Sequence, residues 1–242
     1  MLKYRIEENK LLKIIENAPK KILSIANKKG NSGQKSYDEL KSDQWKHRKL
    51  SQSWVKYLSF SLEKYHREKY LSFSLEEYHR EKNENIYAFP SKFDLKEELG
   101  IKQSEFLFDI SVGLYKSFKS KKFESSKKVL PIYYQSKPIW QIESEFAEDT
   151  REIAIDFSKL LAGNADYAMM VSPEGKEKRD YYMDEMKKML ESNVSLGRKI
   201  LYFLILPHPR DWVNKKREWS LHNWDNNDWK KVKKGEWIIK EK

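Results

Sequence analysis

The chain has 242 residues, a length that suits one large domain or one domain with an added subdomain. Its 48 Lys and Arg against 37 Asp and Glu give a net charge of +11, which favours a polyanionic partner, nucleic acid first; a lysine-rich proteome is the alternative origin of this charge. Cysteine is absent, which excludes disulfides, thiolate nucleophiles and Cys-ligated zinc or iron–sulfur sites.

The hydropathy pattern does not suggest a membrane protein. The first residues lead into a charged helix and not into an apolar segment, so no secretory signal is expected. The longest apolar run, Ile200–Leu206, is too short to cross a bilayer and predicts a buried strand. We therefore expect no membrane partner and a cytoplasmic location.

The first hundred residues are predicted to be mainly helical. Residues 1–27 have the apolar spacing of a helix, which Pro19 is expected to interrupt. A basic loop at 28–34 follows, and the stretch Tyr37–Lys82 lacks Gly and Pro and predicts a second helix. We assign residues 1–100 to a helical N-terminal region.

This second helix contains a tandem repeat of 13 residues. Tyr57–Lys69 and Tyr70–Lys82 differ at one position only. Thirteen helical steps rotate the second copy by about 220° from the first, so both copies cannot face the same core on one straight helix. We expect the repeat to carry no chemistry, and we expect His66 and His79 to face solvent, because their spacing fits no metal site.

Between residues 105 and 207 the pattern changes to alternating strands and helices. The predicted strands are Phe106–Tyr115, Val129–Tyr134, Pro138–Phe146, Tyr167–Val171 and Ile200–Leu206. The predicted helices are Asp149–Leu161 and Lys178–Ser192, and Lys116–Lys128 is a lysine-rich loop. This order predicts an α/β core over residues 101–209, with a mixed central sheet flanked by helices.

A short tail over residues 210–242 is rich in tryptophan and lysine. Its tryptophans are Trp212, Trp219, Trp224, Trp229 and Trp237. They predict either a packed subdomain, which we favour, or a surface on which bases stack. The sequence Lys233-Lys234-Gly235 is expected to form a hairpin turn between Trp229–Val232 and Trp237–Lys240.

The strand predicted at Pro138–Phe146 carries two carboxylates on one face. Because alternate residues of a strand share a face, Gln141, Glu143 and Glu145 lie together, opposite an apolar face. Two carboxylates repel each other there, and a divalent cation is the simplest way to hold them. Ligands that are all oxygen favour Mg²⁺ or Mn²⁺ over zinc.

A further carboxylate, Asp109, interrupts an otherwise apolar strand between Phe108 and Ile110. An acidic residue in such a position is costly unless it is paired or bound to a metal ion. The alternative is an edge strand on which Asp109 faces water. The sequence therefore predicts a site of Asp109, Glu143 and Glu145, with both interpretations of Asp109 open.

The order of these motifs resembles the PD-(D/E)xK nuclease superfamily, which has the restriction-endonuclease-like fold, in its BamHI-like variant. The resemblance rests on a strand with Asp109, a strand ending in Glu143-Ser144-Glu145, a helix with Lys159-Leu160-Leu161 and a strand ending at Pro173. It covers about residues 105–207. Glu145 stands where the commoner motif has Lys, so the usual role of that lysine is unfilled.

The resemblance implies catalytic roles for three acids. Asp109 and Glu143 would bind Mg²⁺ or Mn²⁺, and Glu145 would orient or deprotonate the attacking water. The implied activity is hydrolysis of phosphodiester bonds by a metal-dependent DNA endonuclease. Its expected partner is double-stranded DNA, and a homodimer is compatible with it.

Three further residues are weaker candidates. Glu105 shares a strand face with Asp109, and Gln141 is expected at most to support the metal ligands. Lys159 lies roughly opposite the apolar stripe of its helix, so it either contacts a phosphate or, as we favour, is an ordinary surface lysine.

Other functions stay open at this point. A non-catalytic nucleic-acid-binding protein with the same fold would use the lysines and the tryptophans. A structural protein would pair Glu143 and Glu145 with basic residues. A glycosidase also uses paired carboxylates, but the positive charge favours phosphodiester chemistry.

Overall fold

The computed structural model describes residues 6–28, 36–40, 42–74, 85–90, 108–119, 131–146, 149–174, 181–192 and 199–240. Its helices are α1 (Glu8–Ala26), α2 (Asp43–Ser74), α3 (Thr150–Ala162) and α4 (Tyr181–Glu191). Its strands are β1 (Asn85–Pro90), β2 (Ile110–Lys119), β3 (Pro131–Ser144), β4 (Tyr167–Pro173), β5 (Ile200–Leu206), β6 (Arg217–Asp225) and β7 (Asp228–Trp237).

These strands form one mixed sheet in the order of the sequence, from β1 to β7. Strands β3, β4 and β5 are parallel, and every other neighbouring pair is antiparallel. The parallel strands require crossover connections, and α3 and α4 supply them. The α/β prediction is thereby confirmed.

Helices cover both faces of the sheet, as expected when strands are buried on both sides. On one face α1 and α2 pack against the sheet, where Leu58 and Trp140 share an apolar cluster. On the other face α3 and α4 pack against it, and Phe157 and Met170 belong to the second cluster. Strand β4 is buried along its whole length between these two layers.

Helix α1 continues through Pro19, so the expected interruption is wrong. Proline removes one hydrogen bond to the preceding turn, a cost of about 3 kcal/mol in an isolated helix. Ile15, Ala18 and Ile22 are fully buried on both sides of this position. Packing of that apolar face keeps the helix intact across the missing bond.

The first copy of the repeat lies in α2 and faces the core. Leu58, Leu62 and His66 are fully buried, so the expectation that His66 faces solvent is wrong. Its Nε2 accepts a hydrogen bond of 2.9 Å from the indole N–H of Trp140. A buried indole N–H requires an acceptor, and this imidazole provides it. His79 lies outside the described residues.

The strands predicted at Val129–Tyr134 and Pro138–Phe146 are one strand, β3. Pairing between β2 and β3 shifts register between Val112 and Gly113 and again between Leu114 and Tyr115. Proline cannot donate to a ladder, and Pro138 lies at the first of these bulges. Bulges thus let one strand continue where the sequence indicated a break. Strand β2 also extends into the predicted lysine loop, as far as Lys119.

The C-terminal hairpin turns at Asn226 and Asn227, not at the predicted Lys233–Gly235. Both asparagines have positive φ, at 50° and 60°. Two such residues in succession form a type I′ turn, whose twist matches that of the flanking strands, and asparagine tolerates this conformation. Lys233–Gly235 lies inside β7 instead.

The tryptophans of the tail are packed, as favoured from the sequence. Trp212, Trp219 and Trp237 are almost completely buried. The Trp237 ring lies 5.6 Å from that of Trp54 in α2 and 5.5 Å from that of Trp212. Strand β6 pairs with β5, so the three regions proposed from the sequence all contribute strands to one sheet. Across the described ranges, every helix is too short or too polar to span a bilayer.

Candidate functional site

Asp109 and Glu143 meet across neighbouring strands. The pairing of Ile110 with Ile142 places Asp109, just before β2, beside Glu143 near the end of β3. The Asp109 carboxylate accepts a hydrogen bond of 2.8 Å from the backbone N–H of Ser144. This bond fixes the carboxylate at the C-terminal end of β3, which is the first of the three parallel strands.

Helix α3 brings a lysine and another carboxylate to the same place. Lys159 Nζ lies 2.6 Å from Asp156 Oδ1 and 3.6 Å from Glu143 Oε1. Asp156 and Lys159 are three residues apart, so they lie on the same side of the helix. That side faces Glu143 on β3. The expectation that Lys159 is an ordinary surface lysine is therefore wrong.

Glu143 is the most deeply buried member of this group. Its side chain is 3% exposed, and its Oε1 accepts no hydrogen bond. The pKa of the Glu143 carboxyl is raised from its usual range to about 8. Burial is the largest cause, and the charges of Asp109 and Asp156 act in the same direction. Lys159 and a hydrogen bond from the Asp109 backbone lower the pKa without cancelling the increase.

Among these four described groups, the acids outnumber the single base. With all groups ionised, Asp109, Glu143 and Asp156 contribute three negative charges and Lys159 contributes one positive charge, a sum of −2. For that reason the contact between Lys159 and Glu143 is not a neutral salt bridge, even though the distance alone suggests one. Burial and two like charges oppose a single lysine, so the pKa of Glu143 is raised although Lys159 Nζ lies 3.6 Å from its Oε1.

Lys159 itself stays protonated. Burial lowers its pKa, but the hydrogen bond to Asp156 and the charges of Glu143, Asp156 and Asp109 outweigh burial, so the pKa is raised overall. About a third of the side chain is exposed. The lysine thus places a positive charge beside the buried carboxyl.

Comparison of the chain with protein-family models, with curated proteins and with solved structures finds no match in any of the three. Within the described ranges, no group of three or more His, Asp and Glu side chains is arranged to hold a metal ion.

Gln141, on the same strand face as Glu143, contacts the turn after α3. Its side-chain oxygen accepts a hydrogen bond of 3.3 Å from the Ala165 N–H. A Cβ on Gly163 would lie 2.0 Å from that oxygen, so only glycine fits there. Lys199 Nζ donates to the carbonyls of Leu160 and Gly163 at the end of the same helix. These contacts fix α3, and with it Lys159, over β3.

The two remaining predicted acids are Glu145 and Glu105. Glu145 lies one residue beyond β3 and is half-buried, and its backbone N–H donates to the Val171 carbonyl at 3.0 Å. This bond extends the pairing of β3 with β4. Glu105 lies outside the described residues.

Asp156 was missed by reasoning from the sequence. Its spacing of three from Lys159 does signal an ion pair on a helix. That rule carries no information on what the pair faces, and the approach of α3 to β3 is what brings it to Glu143. The useful sequence signal would have been a polar pair on a helix that follows directly after an acidic strand.

Proposed function

We propose that this protein is a Mg²⁺-dependent endonuclease that hydrolyses phosphodiester bonds of double-stranded DNA. The observation that carries the proposal is the buried Glu143 carboxyl with Asp109, Asp156 and Lys159 around it, four groups whose charges sum to −2 when all are ionised. A divalent cation bound there would compensate the charge that appears when Glu143 ionises.

Asp109 and Glu143 fit the role of metal ligands. Mg²⁺ is commonly held by one or two carboxylates together with water and substrate phosphates, so two protein ligands suffice. Glu143 Oε1 is buried and accepts no hydrogen bond, which leaves it available as a ligand. Mn²⁺ prefers the same oxygen donors. The chemistry that either ion supplies when bound is polarisation of the scissile phosphate and a lower pKa for a bound water.

The other side chains have separate roles in this proposal. Lys159 places a positive charge beside the carboxylates, where it would stabilise negative charge that develops on the phosphate. This lysine takes the role that the Glu-x-Glu motif leaves unfilled on β3. Glu145, the second acid of that motif, would orient or deprotonate the attacking water.

The choice of DNA as substrate rests on charge and on the resemblance of the motifs. A net charge of +11 favours a polyanion. Oxygen-only ligands beside a lysine suit a phosphodiester better than a sugar. The second candidate is a nucleic-acid-binding protein without catalysis, in which the cluster serves stability alone.

The test is the substitution Glu143→Gln, which keeps the shape and removes one negative ligand. We expect it to abolish Mg²⁺-dependent cleavage of supercoiled plasmid DNA, while binding of duplex DNA without the ion persists or tightens. Glu152→Gln is a matched control, because Glu152 is an exposed acid in the first turn of α3. It should cleave like the wild-type protein.

Lys159→Met adds a second measurement. We expect a lower cleavage rate at saturating DNA with the Mg²⁺ requirement retained. Equal cleavage by wild type and Glu143→Gln would refute the site, and DNA binding without cleavage by the wild-type protein in Mg²⁺ or Mn²⁺ would establish the non-catalytic alternative.

A further inference from the structure

Helix α2 exposes two large aromatic side chains to solvent. Trp45 is 56% exposed and Phe60 is 51% exposed. The other exposed large hydrophobic side chains in the described ranges are Tyr134 and Ile155, one on β3 and one on α3. Two such aromatics on one helix that is otherwise well packed call for a functional explanation.

These aromatics belong to one stripe along the helix. Trp45, Lys49, Gln52, Lys56 and Phe60 follow the spacing i, i+4, i+7, i+11 and i+15, which places them on one side of an α-helix. We call this set the α2 stripe. Its two rings lie about 22 Å apart along the helix axis, from a rise of about 1.5 Å per residue.

Cations lie over both rings. The Arg48 guanidinium is 5.4 Å from the centre of the Trp45 ring, and Lys56 Nζ is 5.9 Å from the centre of the Phe60 ring. Each end of the stripe therefore combines a flat apolar surface with a positive charge. Over its whole length α2 carries seven Lys and Arg against three Asp and Glu, a net charge of +4.

We propose that the α2 stripe binds single-stranded nucleic acid. Bases stack on exposed aromatic rings without regard to sequence, and lysines between the rings contact the phosphates. A duplex offers no free base for Trp45 or Phe60. A second copy of this chain is a poorer occupant, because two stripes face to face would bring their lysines together.

The stripe is separate from the carboxylate cluster. Helix α2 covers one face of the sheet, whereas Glu143 lies on the other face, toward α3. The proposal consequently does not rest on the proposed hydrolysis, and its test is carried out with EDTA so that no metal-dependent cleavage occurs.

The experiment measures binding of a fluorescent oligothymidylate of about twelve nucleotides, a length within the usual site size for single strands. Trp45→Ala and Phe60→Ala are each expected to weaken binding about tenfold, since stacking of one base accounts for an effect of that order. Ile155→Ala is the matched control for removal of an exposed apolar side chain on α3, and it should leave affinity unchanged.

Salt dependence tests the lysines. The double variant Lys49→Gln with Lys56→Gln should reduce the slope of log affinity against log salt by about 1.4, at about 0.7 for each phosphate that is no longer neutralised. The double variant Lys231→Gln with Lys240→Gln is the charge-matched control, because both are exposed on the C-terminal part of the chain. It should leave the slope for the oligothymidylate unchanged.

Three results would overturn the proposal. The first is affinity of the aromatic variants within twofold of wild type. The second is displacement of the oligothymidylate by poly-glutamate at equal charge concentration, which would show attraction to any polyanion. The third is a dimer in sedimentation that Trp45→Ala and Phe60→Ala dissociate, which would make the stripe a contact between two copies.

Discussion

At the scale of single residues, Glu143 combines burial with two neighbouring carboxylates. A carboxyl whose folded pKa is raised binds its proton more tightly in the folded state than in the unfolded state. The folded protein therefore loses stability as pH rises from the ordinary value near 4.5 through about 8, because Glu143 must then ionise in place. Each unit of pKa difference corresponds to about 1.4 kcal/mol, so the loss is of the order of a few kcal/mol.

Glu143→Gln should remove this pH dependence. The glutamine side chain at position 143 is neutral at every pH. The free energy of unfolding of the variant should therefore match that of the wild-type protein at pH 5 and exceed it at pH 9. Urea unfolding at the two pH values measures the difference. Glu152→Gln, an exposed change on α3, should shift stability equally at both. A less stable Glu143→Gln at pH 9 would mean that the contact with Lys159 is a stabilising salt bridge.

Gly163 is required by close approach and not by its backbone conformation, since its φ of −68° suits any residue. A Cβ there would meet the Gln141 side-chain oxygen. We expect Gly163→Ala to destabilise the protein by about 1–3 kcal/mol, the usual cost of overpacking. The double variant with Gln141→Ala removes the overlapping oxygen and should recover part of this loss. Additive losses in thermal unfolding would refute the close contact.

At the scale of elements, the first copy of the repeat attaches α2 to the edge of the sheet. The first copy contacts the edge strand β1, where Arg67 Nε donates to the Ile86 carbonyl at 2.9 Å and the Glu63 carboxylate accepts from the Ala88 N–H at 3.0 Å. These bonds satisfy backbone groups that an edge strand would otherwise expose. Both of these bonds come from the first copy, Tyr57–Lys69.

Deletion of residues 70–82 should leave the fold intact. The three residues that would then join Lys69 to Ile86 allow a span of up to about 14 Å, since an extended chain covers about 3.5 Å per residue. Far-ultraviolet circular dichroism should show the native spectrum and one cooperative thermal transition. Deletion of residues 44–56, equally long, removes the buried Leu50 and Trp54 and should abolish that transition. Loss of cooperativity in the first deletion would assign a structural role to the second copy.

At the scale of the whole molecule, one sheet joins the N-terminal, central and C-terminal parts of the chain. Strand β6 covers the edge of β5, and the Trp237 side chain packs against Trp54 of α2 and Trp212. Elements from the two ends of the sequence thereby complete one core. The C-terminal hairpin is consequently part of the folded unit and not an appendage.

Truncation after Pro209 should therefore prevent folding. It would expose the edge of β5, an almost entirely apolar strand, and remove three large rings from the core. We expect calorimetry of the truncated chain to show no cooperative transition. The control variant Asn227→Gly gives the turn sequence Asn-Gly, which keeps the type I′ turn, and it should unfold like the wild-type protein. A truncated chain with a sharp native-like transition would show that residues 210–242 are a separate unit.

The sequence by itself determined the elements of the central core. Helices α3 and α4 and strands β4 and β5 lie within a few residues of their predicted bounds. Their apolar patterns are strong because each element buries a defined face, and a period of 3.6 or a continuous apolar run records that burial directly. The alternation of side chains along a strand likewise predicted that Gln141 and Glu143 share one face of β3.

Only the tertiary structure decided which side chains meet. The hydrogen bond between His66 and Trp140 and the contact of Lys159 with Glu143 join residues that are far apart in sequence. The hairpin turns at Asn226 and Asn227. Local composition favoured a turn at Lys233–Gly235 as much as one at these two asparagines. Periodicity reports which face of an element is buried, but the partner on that face is set by the packing of other elements, and no local pattern encodes it.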